Sequence, residues 1–191
     1  MAKLRKMLGR VDEPNIVELM AVIETQSRET LSAWALDWAE NHFLEIYEKY
    51  DAEDLRLRSL VDVCRECLEG ERPLKEIKPF LKEAREAAKA AEKNPVAQAA
   101  ARAVATACAV PQTATNALGF TFYGAAALVY DAIGTEEKPE VYDRMATEKP
   151  DLLVLDIMLP GEDGLHILQR TDVFARISPY CKQIRQTALP D

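Results

Sequence analysis

The sequence predicts an all-α fold, a helical bundle of stacked antiparallel helices, and three observations lead there. Apolar residues recur at helical spacing through most of residues 14–91. Between Arg102 and Asp131 no side chain carries charge, and a soluble protein leaves so long an uncharged run only where it is buried. A proline-containing turn, Pro111-Gln-Thr-Ala-Thr-Asn116, divides that run, leaving residues 117–130 below the ~18 apolar residues that span a bilayer, so the run reads as a buried hairpin. A short strand-loop-helix appendage is predicted beyond residue 148.

Asp12 and Pro14 mark the first helix start, with Ile16, Leu19, Met20 and Ile23 as its buried face. Ser27 opens a second helix whose stripe runs Leu31, Trp34, Ala35, Trp38, His42 and Ile46. After a break at residues 50–53, Leu57, Leu60, Val61, Cys64 and Leu68 line a third face, which Gly70 ends as a cap. From Pro73, the positions Leu74, Ile77, Leu81, Ala84, Ala88 and Ala91 alternate steps of three and four, the seam of antiparallel helices packed at a shallow angle. Residues 94–109 form the next helix, polar only along Asn94, Gln98, Arg102 and Thr106; Ala, Val and Cys elsewhere allow neighbours close on most sides. A last helix is expected over about residues 115–132. Enlarging Gly119 to Leu or Ala105 to Phe in this core should cost at least ~1–3 kcal/mol.

The chain has 191 residues, 48% hydrophobic and 29% charged, enough for one core of useful size. It divides into a helical domain, residues 1–148, and an appendage, 149–191. A net charge of −8 and a pI near 5.0 speak against nucleic acid as partner and suit a basic one. The basic start MAKLRKMLGR is followed by no apolar leader segment, and the four cysteines read as reduced thiols, so the expected location is the cytoplasm. No membrane span is expected, and the sequence leaves the oligomeric state open.

Gln98, Arg102 and Thr106, with Asn116 on the next helix, are the candidate site, either a small-molecule pocket or a buried polar stripe in which Arg102 pairs with a carboxylate of a neighbouring helix. Cys64 and Cys67 have redox spacing, but Cys64 lies on an apolar helical face, so a packed pair ranks above a thiol redox site. With His42 they offer at most three zinc ligands. His42 continues the tryptophan stripe and reads as a hydrogen-bonded core histidine; Cys108 reads as packed. No phosphate-binding glycine loop or hydrolase motif occurs, so no enzyme and no cofactor is expected.

The blocks KLRKMLGRVDEPNIVELM, VIETQSRETLSAWALDWAE, NPVAQAAARAVATACA and TNALGFTFYGAAALVYD resemble a family of all-helical bacterial immunity proteins of toxin systems, over about residues 1–148. The resemblance implies a helical protein that binds and neutralises a toxin, without catalytic residues to carry over. The partner expected from resemblance and charge together is a basic toxin.

Beyond Lys149 the texture changes. The run Leu152-Leu153-Val154-Leu155 has the form of a strand buried on both faces, and KPDLLVLDIMLPGEDGLHIL resembles the phosphoacceptor strand, loop and helix of a response-regulator receiver domain, with Asp156 at the phosphorylated position. That alternative function, a phosphorelay response regulator, needs Mg²⁺ held by an acidic pair. Asp12 and Glu13 are the candidates for it, although the charged segment before them is unlike a central strand. Asp151 stands five residues back along a strand, roughly 16 Å from Asp156, too far to share the ion. After Arg170 no apolar runs remain for the last strands of a receiver, and His166 falls in the same segment.

Overall fold

The computed structural model describes residues 4–142, which hold helices and no strand. The helices are α1 (Pro14–Thr25), α2 (Arg28–Trp38), a π-helical turn (Ala39–Leu44), α3 (Glu45–Tyr50), α4 (Arg56–Leu68), α5 (Ile77–Ala90), α6 (Pro95–Ala107) and α7 (Asn116–Ile133). The predicted strand, Asp156 and His166 lie outside the described residues.

Local chemistry explains the boundaries. Ser27 Oγ accepts from the Thr30 amide at 3.1 Å and starts α2; Asn94 Oδ1 accepts from the Ala97 amide at 3.2 Å and starts α6. Pro14 occupies the first turn of α1, as expected, but Asp12 does not cap it: both its oxygens take donors from Arg10, at 3.0 and 2.6 Å. Gly70, at φ +81°, ends α4 in a left-handed conformation that a side chain would resist. Leu74 departs from the predicted seam and is 42% exposed, because a tight 3₁₀ turn (Leu74–Glu76) precedes α5 and rotates it away; Ile77, Leu81, Ala84 and Ala88 are buried.

Helix α6 is the centre. Val96, Ala97, Ala99, Ala100, Ala101, Ala103, Val104, Ala105 and Ala107 are all buried, leaving Gln98, Arg102 and Thr106 partly exposed along one line. Packing is antiparallel on both sides: Gln98 meets the Ala88 carbonyl of α5 with Arg102 one turn on near Arg85, and on α7 Thr106 lies against Gly119. Arg65 joins Glu40 and Asp37, and Arg58 joins Glu48 at 2.7 Å, so α4 runs back along the α2–α3 arm. The N-terminal segment is laid along α7 by Leu8, which is fully buried and donates its amide to the Phe122 carbonyl at 3.1 Å, and by Tyr130, whose hydroxyl donates to the Arg5 carbonyl at 2.8 Å.

The π turn corrects the second predicted stripe. The wider turn shifts the residues directly after Trp38, so Phe43 and Leu44 are buried, while Ile46 is in the core as expected. His42, expected in the core, is exposed and packs its ring on Trp38 at 4.4 Å. Phe43 then lies against Gly124 of α7, where a Cβ would come within 2.8 Å of Phe43 Cε1 and closer still to Cζ. Trp34 and Phe120 meet edge-on at 4.8 Å beside it.

Candidate functional site

Helices α5, α6 and α7 diverge over the polar line of α6 and leave a groove of about 260 Å³, lined by Arg85, Ala88 and Lys89, by Arg102, Ala105, Thr106 and Ala109, and by Asn116 and Tyr123. Small side chains create it. Three alanines line it, and between Asn116 and Tyr123 the α7 surface presents Gly119, from which an added Cβ would touch nothing nearer than the Thr106 methyl at 3.4 Å.

Of the four residues expected to form the site, Arg102, Thr106 and Asn116 line this groove. Gln98 lines the adjoining one, about 570 Å³, where Arg5, Lys6 and Lys93 stand with Glu92, Glu136 and Glu137, and Arg102 borders both. Three of the four bond to backbone. Gln98 donates to the Ala88 carbonyl at 2.9 Å and ties α6 to α5; Thr106 donates to the Arg102 carbonyl at 2.8 Å; Asn116 donates to the Ala109 carbonyl at 3.3 Å and holds the hairpin turn. Arg102 differs. Its guanidinium makes no hydrogen bond or ion pair among the described residues, so the carboxylate partner weighed from the sequence is absent there. Burial lowers its pKa, with Tyr123 and Glu92 acting weakly in the other direction.

Comparison with known proteins gives the chain a family. Residues 21–149, more than half of the sequence, match the family described as Imm-5 like putative immunity protein. The chain belongs to this family. A separate similarity, 40% identity over 60 residues, is to the alkaline phosphatase synthesis transcriptional regulatory protein PhoP of Bacillus subtilis (strain 168); it takes in 31% of this chain and spans only about 20% of that regulator's length. It accords with the receiver-like string around Asp156. No solved structure matches the chain.

The other candidate residues of this Imm-5 like chain sit apart from the groove. Asp12 and Glu13 flank the start of α1, Asp12 engaged by Arg10, and no cluster able to hold a metal ion occurs among the described residues. Cys64, Cys67 and Cys108 are free and buried; Cys64 Sγ donates to the Cys108 carbonyl at 3.5 Å and Cys67 Sγ to that of Pro73 at 3.6 Å. Burial raises the Cys67 pKa, and the contact with Cys64 together with burial raises that of Cys108, the opposite of what a thiolate nucleophile needs. Among the described residues no helix is long and apolar enough to cross a membrane.

Sequence reading missed Arg85, Lys89 and Tyr123 as groove residues. A signal existed for each. Arg85 and Lys89 are four apart and straddle the seam position Ala88, and Tyr123 is two turns beyond Asn116 on α7. Periodicity alone marks such residues as solvated face or core and says nothing of a third helix opposite.

Proposed function

We propose that this chain is a non-catalytic binding protein of the cytoplasm that neutralises a basic bacterial toxin, with residues 1–148 as the binding body and 149–191 as an appendage. The observation that carries this reading is the immunity-family match over residues 21–149, which takes in α2 to α7. Charge supports it. Beside the α2–α4 seam, Asp37, Glu40, Glu48 and Asp62 lie around Arg58 and Arg65, and at the turn into α4 exposed Asp51 and Glu53 flank the Asp54–Arg56 pair. Such a surface steers a cationic protein and makes the association salt-dependent. Affinity purification from the native host should recover a basic toxin, with the complex weakening as salt rises. Recovery of no toxin, or binding indifferent to ionic strength, refutes the proposal.

The receiver-like string and the PhoP similarity favour one second reading, phosphorelay through Asp156 with Asp12 and Glu13 as Mg²⁺ ligands. Against it, Asp12 is already engaged by Arg10. Incubation with Mg²⁺ and acetyl phosphate should leave the intact mass unchanged. Stoichiometric addition of one phosphoryl group, abolished in Asp156→Ala, would put phosphorelay first.

A further inference from the structure

We infer that the groove between α5, α6 and α7 is a binding site for a small oxyanion, a phosphate or carboxylate group, held at Arg102. A partly buried cation normally acquires a carboxylate partner, because lost hydration has to be replaced by an opposite charge or by acceptors. Arg102 is half-buried on a helix buried at nearly every other position, yet it has no hydrogen bond or ion pair among the described residues, Glu92 acting on it only through space; Arg85, which is exposed, adds a second unpaired guanidinium at the groove's edge. Lys89 is the third cation of the groove and is joined to Glu86 at 2.7 Å. The lining therefore keeps a positive excess on a protein whose net charge is −8, and a negative ligand is what that excess lacks.

The neutral groups fit the same ligand. Tyr123 lines the groove and its hydroxyl has no hydrogen bond to any described residue, and Asn116 has one amide hydrogen left after bonding to Ala109, so both can donate to an anion. At about 260 Å³ the space is below the ~300–1,000 Å³ usual for drug-sized ligands, which suits a compact anionic group. This inference does not depend on the toxin reading, and its test uses no toxin.

Thermal unfolding and calorimetric titration of the full chain with sodium phosphate, and separately with sodium citrate, are run against sodium chloride at matched ionic strength. The expected result is a saturable rise in Tm with one of the two, which identifies the anion class. Arg102→Met should weaken the apparent affinity by about tenfold or more. Tyr123→Phe should weaken it severalfold. In chloride alone Arg102→Met should be at least as stable as the parent, since it removes a desolvated and unpaired charge. No saturable response to either anion overturns the inference, as does retention of the response in Arg102→Met. Lower stability of Arg102→Met in chloride also overturns it, because Arg102 would then be a structural residue.

Discussion

Gly124→Ala isolates the contact on which the π turn and the last helix depend. The added methyl would sit 2.8 Å from Phe43 Cε1 and 3.3 Å from Cε2, with Cζ nearer still, where ordinary contacts lie at about 3.5–4.0 Å. Phe43 has no room to retreat: it is 1% exposed and packed on Trp38 and Phe120 at ring separations of 6.0 and 6.2 Å. Overpacking of this kind costs ~1–3 kcal/mol, and the better helix propensity of alanine returns up to about 1. The net expectation is a loss of roughly 1–2 kcal/mol, a fall in Tm of about 2–8 °C for a chain of this size. Urea denaturation of Gly124→Ala, Phe43→Leu and the double variant forms the assay. Shortening Phe43 opens space, so Gly124→Ala should be neutral or stabilising in that background, with a coupling of at least ~1 kcal/mol. Gly119→Ala is the control, because its methyl would make only an ordinary 3.4 Å contact with Thr106; it should be neutral or gain up to about 1 kcal/mol. Gly124→Ala as stable as the parent, or zero coupling, would refute this account of the core.

Two further predictions concern titratable groups. Arg56, and then the Tyr47 hydroxyl at 2.6 Å, hold the Asp54 pKa down to about 2, and the carboxylate is only 10% exposed. A depressed carboxylate pKa adds stability that is present above the unfolded value near 4 and is lost as pH falls towards 2; here it is about 2 kcal/mol, roughly half gone by pH 3. Urea midpoints at pH 7 and 3 should therefore converge between the parent and Asp54→Asn, and a constant gap would refute the assignment. Native-state alkylation at pH 7, read by peptide mass mapping, should leave Cys64, Cys67 and Cys108 unmodified until the protein is denatured, because all three are buried. Rapid labelling of Cys64 or Cys67 would restore the redox reading.

Sequence determined the helical class, the order of the helices and the central place of residues 94–131, because those properties depend on side-chain period and on the cost of burying charge. Ser27 was legible as a helix start for the same local reason: the bond that makes a cap reaches only three residues along the chain; Asn94, read as part of the polar stripe, caps α6 in the same way. Where a neighbour decides, the sequence was silent. His42 and Phe43 exchange burial because a π turn accommodates one extra residue, and the space that takes Phe43 is a missing β-carbon on α7, 81 positions away. Leu74 leaves its seam through a 3₁₀ turn that the three-four rhythm does not encode. The polar line of α6 could be read from a spacing of four, but not its surroundings. That Gln98 bonds to α5, that Arg102 makes no ion pair with a carboxylate among the described residues, and that Arg85 of α5 and Tyr123 of α7 line the same groove are outcomes of how three helices pack, and electrostatic pairing between helices is fixed only by that packing.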